Sequence, residues 1–187
     1  MMDVLYPRLL ADVGGTNARL AWQACAGAPL SHVATVLCAD HATLLAAIQR
    51  HLGVHGLPRP RACGIGIATP VTGDAVTMTN HHWSFSVSEL RRQLGAKQLV
   101  VVNDFTATAL ALAELPADQL RQLGGGEPVQ GAPKAVLGPG TGFGVSALLQ
   151  PSARRPVAIS GEGGHATLSA QDADEAMVID RLRQRFG

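Results

Sequence analysis

Asp12-Val-Gly-Gly-Thr-Asn-Ala-Arg19 follows directly on the apolar run Leu9-Leu10-Ala11. An apolar strand that ends in a carboxylate and turns through two glycines lets a ligand come close to the main chain, because glycine has no Cβ and tolerates positive φ. Successive N–H groups in such a turn form an anion-binding concavity. Gly14, Gly15, Thr16 and Asn17 are therefore candidate phosphate contacts. Asp12 is placed to hold a cation, or a metal-bound water, against those phosphates. Arg19-Leu-Ala-Trp22 then mixes polar and apolar residues as the returning strand of a hairpin does. In isolation the same residues also read as a glycine hairpin with no ligand.

Working outward, residues 8–23 are expected to form the hairpin and His32 to Ala39 a third strand. Leu44, Leu45, Ile48 and Leu52 share one face of a helix over 41–52, with Gly53 as its stop. Ala62 to Ala68 reads as a buried strand ending at Thr69-Pro70, and Ala75 to Thr79 as another. Ser86-Val-Ser-Glu89 fits a capping box in which Glu89 reaches back to the Ser86 N–H, opening a helix that stops at Gly95. Leu99-Val-Val-Val102 is apolar without alternation, as a strand covered on both faces would be. It leads into Asn103-Asp104 and a helix over Thr106 to Leu115. Strands alternating with helices mean an α/β architecture.

Leu115-Pro116 and Gly124-Gly-Gly126 mark the expected boundary between a small N-terminal α/β domain, 1–115, and the beginning of a larger α/β domain, 116–187. Past that boundary come a strand from Ala135, a second glycine turn, a strand through Leu149, a glycine-rich loop at Gly161 and a last helix opened by Asp172-Ala-Asp-Glu175. Ile179, Leu182 and Phe186 share a face of that helix. The second domain is expected to be incomplete, because the chain stops at Gly187 with no closing element.

Composition narrows the function classes. Fifteen Lys and Arg against fourteen Asp and Glu leave a net charge of +1, with 47% hydrophobic and 16% charged residues. That balance excludes disorder, and the lack of a basic stripe argues against a nucleic-acid partner. No run reaches membrane-spanning length, so no membrane is expected. Cys25, Cys38 and Cys63 are odd in number and lack C-x-x-C spacing, which fits thiols of a reducing, cytoplasmic compartment.

Asn103-Asp104 stands where a central parallel strand gives out, the position at which open α/β sheets bind ligands. Asp104 is thus a candidate general base for a hydroxyl, and it could equally cap the following helix. Gly138-Pro-Gly-Thr-Gly-Phe-Gly144 is a second strand–glycine–strand turn, with Gly140, Thr141 and Gly142 as candidate phosphate contacts. Two such turns, one in each half, point to two related domains closing on one polyphosphate. The patterns G-x-x-x-x-G-K-[ST] and G-x-G-x-x-G after the first strand are both absent. Gly161-Glu-Gly-Gly-His165 sets a carboxylate and an imidazole three residues apart, a set suited to vicinal sugar hydroxyls and short of a third metal ligand. In Thr79-Asn80-His81-His82-Trp83, Asn80 is a candidate sugar or loop-orienting residue and Trp83 a packing one.

These motifs together resemble the bacterial glucokinases of the hexokinase-like, actin-related ATPase superfamily. The resemblance rests on Leu10-Ala-Asp-Val-Gly-Gly-Thr-Asn-Ala-Arg-Leu20, Ala68-Thr-Pro-Val-Thr-Gly-Asp74, Met78-Thr-Asn-His81, Val102-Asn-Asp-Phe-Thr-Ala107, Gly138-Pro-Gly-Thr-Gly-Phe-Gly144 and Gly161-Glu-Gly-Gly-His165. It implies an actin-like (ribonuclease H-like) ATPase fold with a mixed sheet, and ATP-dependent phosphorylation of the glucose 6-hydroxyl. On that footing Asp104 is the base, and Asn103, Glu162 and His165 join it around glucose; Asn80, read from its own loop, is the further candidate for substrate binding. The two glycine turns hold phosphates, and Asp12 sits near Mg2+. The zinc-binding cysteine cluster of the related repressor/open-reading-frame/kinase family is absent, which places the chain with the zinc-free type. Glucokinases of this type continue well beyond the motifs found here, so the 187-residue chain is expected to be weakly active or inactive alone. The family pattern also implies a homodimer. The alternative is a non-catalytic sugar-binding or regulatory module, for which a base beside the 6-hydroxyl has no use.

Overall fold

The computed structural model describes residues 2–127, 129–139, 142–150, 155–167 and 169–186. Its first half contains β1 (Arg8–Val13), β2 (Asn17–Gln23), β3 (Ser31–Leu37), α1 (Leu44–Val54), β4 (Ala62–Ile67), β5 (Ala75–Thr77), β6 (Ser84–Ser86) and α2 (Val87–Leu94). Then come β7 (Gln98–Asn103), α3 (Asp104–Ala111), β8 (Lys134–Pro139), β9 (Phe143–Leu149), β10 (Val157–Glu162) and α4 (Ala173–Phe186). β1 pairs antiparallel with β2 and parallel with β4, so the glycine turn joins a hairpin that sits inside a mixed sheet of order β3-β2-β1-β4-β7. The mixed α/β architecture expected from the sequence is the one observed. β8, β9 and β10 form a separate antiparallel sheet, and β5 with β6 a short hairpin.

The main core lies between the five-stranded sheet and the helices. Leu9, Leu20, Ile65 and Ile67 from the strands meet Leu44, Ile48, Leu90, Leu94 and Trp83. Each fully buried aliphatic side chain contributes on the order of 1.5–3 kcal/mol.

Several local expectations shift in the structure. α1 starts later, at the Thr43 cap, whose hydroxyl accepts from the Ala46 N–H at 3.1 Å. It also runs through Gly53. The stop is Gly56 at φ 60°, with the Leu57 N–H returning to Leu52 O and the Gly56 N–H to Gly53 O. That double bond pattern needs a left-handed residue, which Gly56 supplies and Gly53 does not. Ser86 caps α2 as expected, but Glu89 does not reach back; its carboxylate takes Arg92 one turn on. Asp74 braces this helix end from outside, accepting from the Ser88 N–H and the Ser86 hydroxyl, and these bonds hold its carboxyl below the usual range.

β7 is neither central nor covered on both faces. It is the edge strand of its sheet, and Val100 is 46% exposed. β5 is shorter than the expected Ala75 to Thr79, ending at Thr77. α3 begins at Asp104 and ends at Ala111, and it touches both β4 and β7 of the first sheet and all three strands of the second. α4 is capped as its sequence implies, with Asp172 accepting from the Glu175 N–H and Glu175 from the Gln171 N–H.

Candidate functional site

Parallel register brings three candidate segments to one edge of the sheet. Val13 pairs with Ile67 and Ile67 with Asn103, so Gly14, Ala68 and Asp104 leave the sheet side by side. This is the carboxyl edge where such sheets bind ligands. The Gly14 N–H closes the first turn onto Asn17 O at 2.9 Å. Cys38 clamps that turn from β3's end, its N–H donating to Thr16 O at 2.8 Å and its thiol to Gly14 O at 3.5 Å. Burial raises the Cys38 thiol above its ordinary range, so it stays a neutral donor. Asp12 is exposed at the end of β1, opposite Arg19 on β2.

Asn80 packs against this turn. A Cβ on Gly15 would stand 3.2 Å from the Asn80 Cβ, so the glycine is what admits the asparagine. The loop carrying Asn80 is fixed from beneath. Trp83 is buried, and its indole N–H donates to His41 O at 2.9 Å. Thr69 donates to Thr77 O at 3.0 Å and lies 3.1 Å from the Thr79 hydroxyl. The ring of His81 meets Trp83 edge-on, and desolvation followed by the neighbouring His82 keeps that imidazole below its ordinary pKa. Trp83 is thus the packing residue the sequence implied.

At the end of β7 the two side chains divide the work. Asn103 Oδ1 accepts from the N–H groups of Phe105 at 3.0 Å and Thr106 at 3.3 Å, so Asn103 is the cap of α3. Its Nδ2 donates to Asp104 Oδ1 at 2.9 Å and to Thr69 O at 3.5 Å. Asp104 Oδ1 also accepts from the Phe105 N–H at 2.9 Å. The carboxylate sits half-buried at the positive end of the helix dipole. These bonds engage Oδ1; among the described residues none engages Oδ2, which is placed to accept from a hydroxyl.

The second sheet meets this edge through α3. The Thr106 hydroxyl lies 2.6 Å from the Ser160 hydroxyl on β10. Glu162 is two residues on, hence on the same face of that strand. Glu162 also stands in one cross-strand row with Gly144 and Gly138. The imidazole of His165 is 4.0 Å from the Glu162 carboxylate, and both side chains are open to solvent. Gly142 is exposed, whereas Gly140 and Thr141 lie outside the described residues. Two shallow clefts, about 260 Å³ beside α4 and about 530 Å³ between β3 and α1, contain none of the candidate residues. Asp12, Gly142, Glu162 and His165 are all exposed, so the described site is an open edge.

A metal fits this edge only in a limited way. Among the described residues no group of three or more His, Cys, Asp or Glu is arranged to hold an ion. One carboxylate beside a glycine turn would suit an Mg2+ ion carried on the phosphates of a ligand, since that ion keeps most of its waters. The sequence reading gave no role to Thr69, Cys38, Phe105 or Ser160. The Thr-Pro step after β4 was a signal for Thr69; nothing local marks the other three.

The family model described as Glucokinase matches residues 9–187. The glucokinase of Aromatoleum aromaticum is 50% identical over 182 residues, covering 97% of this chain and 55% of the relative. A glucokinase from an Antarctic psychrotroph superposes with a TM-score of 0.82 at 34% identity, covering 96% of this chain and 57% of that one. The glucokinase from Balamuthia mandrillaris, solved in complex with glucose, shares the fold at 23% identity and a TM-score of 0.71, over 96% and 56% of the two chains. The chain spans about half the length of the curated relatives it matches. Among the described residues no helix is long and apolar enough to cross a membrane.

Proposed function

The chain belongs to the glucokinase family, and from that premise we propose that its carboxyl edge is the hexose and phosphate half of an ATP-dependent glucose kinase. The observation that carries this reading is the Asn103–Asp104 arrangement, in which, among the described residues, both hydrogen bonds to the carboxylate fall on Oδ1. Oδ2 is left to accept the proton of the glucose 6-hydroxyl as that oxygen attacks the γ-phosphorus of ATP in line, breaking the bond to the β,γ-bridging oxygen and releasing ADP. Catalysis of such a transfer is mostly positioning and charge neutralisation.

In this reading Asn80, Asn103, Glu162 and His165 hold the remaining hydroxyls. Asn103 also holds the base, through its amide on Asp104. The Gly14–Asn17 turn takes phosphates through its side chains and the N–H groups other than that of Gly14, which closes the turn, and Gly140, Thr141 and Gly142 do the same. Asp12 holds Mg2+ through water; when bound, that ion neutralises phosphate charge. The family model and the glucokinase of A. aromaticum, 50% identical, support glucose as the sugar. We divide the chain into a small domain, 1–115, and the beginning of a larger one, 116–187. A cytoplasmic setting fits the three unpaired cysteines. Because the relatives have about as much chain again, we assign the chain by itself little or no turnover, and leave a homodimer as the assembly to test.

Calorimetric titration of the purified chain with glucose tests the site. Glucose should bind in preference to galactose, and Asp104→Ala should abolish the binding. A folded chain that binds neither sugar, or both equally, overturns the assignment. Steady glucose-dependent ADP release at ordinary kinase rates, about 1–100 per second, would overturn the claim of low turnover alone.

A further inference from the structure

Gly138 and Gly144 face each other across β8 and β9. A methyl group on Gly144 would overlap the Phe105 ring, and one on Gly138 would come within 2.7 Å of Phe105 Cζ. Close-packed interiors do not tolerate such approaches, so the ring occupies a notch that only the paired glycines leave open. The same residue's N–H donates to Asn103 Oδ1 and to Asp104 Oδ1. Its neighbour Thr106 is fastened to Ser160 on the third strand of that sheet. Phe105 is therefore held by the second glycine hairpin at its ring, and itself holds the Asn103–Asp104 turn at its backbone.

We infer that Phe105 is a positioning residue that couples the candidate base to the second glycine hairpin. A shift of the hairpin carries the ring with it, and the ring carries the amide to which both side chains are bonded. Gly138 and Gly144 then serve as the seat of that ring, a role separate from any contact of the turn between them with phosphate. The functional part of the inference rests on the reading of Asp104 as the base.

The test is a double-mutant cycle in the full chain: wild type, Phe105→Ala, Gly144→Ala and the pair together. Two quantities are read, hydrogen exchange of the Thr106 amide and the dissociation constant for glucose. With Phe105 present, Gly144→Ala ejects the ring, and both quantities should rise about tenfold. With Ala at 105 there is nothing to eject, and the glycine substitution should change either by less than about twofold. Amides of β1 and β4 should stay unchanged throughout. Gly138→Ala gives a second route to the same displacement if Gly144→Ala does not fold. Equal effects of the glycine substitution in both backgrounds overturn the coupling, and so does a rise in exchange spread evenly over β1 and β4. If wild type binds no glucose, it is the reading of Asp104 that falls, and the exchange cycle still decides whether the ring links hairpin and turn.

Discussion

Leu9, Leu20, Ile65 and Ile67 of the five-stranded sheet are buried almost completely, whereas Leu137, Val157 and Ile159 of the three-stranded sheet are about half exposed. The strands of the two sheets are similar in length and composition. What differs is the cover. The first sheet has α1, α2 and the Trp83 loop closing its core, while in the second Leu148 and Ser146 are the fully buried ones among the described residues. α4 buries no residue, and Phe186 is 72% exposed. Apolar pattern in a strand states only that a face can be buried; burial, and the stability that follows, need a second layer.

The contrast can be broken most directly by truncating equivalent apolar side chains in the two regions. Trp83→Ala should cost about 3–5 kcal/mol in denaturant unfolding, from lost packing and the orphaned His41 carbonyl. A loss below about 1 kcal/mol would mean that the first core is not the stabilising unit. At the joint between the regions, Asn103→Ala should cost about 1 kcal/mol, since it removes the cap of α3. Thermal unfolding unaltered by that change would show that the joint is held by packing alone.

Acidification acts on the first region through His51. It is buried, its Nε2 has no partner among the described residues, and desolvation, then His55 and His32, keep it below the ordinary imidazole pKa. The folded form therefore takes up a proton less readily than the unfolded chain. Stability is fully retained above the unfolded value of about 6.5 and is lost as pH falls below it. Replacing His51 with Leu should flatten that slope in unfolding measured between neutral and mildly acid pH; an unchanged slope would assign the acid sensitivity elsewhere. The smallest effect is expected in the second region. Leu182→Ala should change stability by less than about 0.5 kcal/mol, because half of that side chain already faces solvent. Strong binding of an apolar dye to wild type, weakened in this variant, would sharpen the contrast further, since the exposed face is what the dye would report.

Much of the first region was legible locally. The hairpin at Gly14-Gly15, the Ser86 cap and the Gly95 stop follow from turn and cap chemistry that acts over a few residues. The candidate base was legible for the same reason: Asn103-Asp104 sits at a strand end. The edge position of β7 was not, because an apolar run reads the same whether one neighbouring strand or two will pair with it. Nor was the partner of Glu89, since Arg92 and the distant Asp74 competed for the roles a capping box assigns within four residues.

By itself, then, the sequence determined the alternation of strands and helices, the two glycine turns and the polar residues that stand at strand ends. Each of these depends on φ, ψ and hydrogen-bond choices within one turn of chain. Only the tertiary structure decided that Asn80 packs on Gly15, that Cys38 clamps the same turn, and that Phe105 sits in the Gly138–Gly144 notch. Those contacts join residues far apart in the chain, and they form where steric fit and burial, rather than local propensity, select one arrangement.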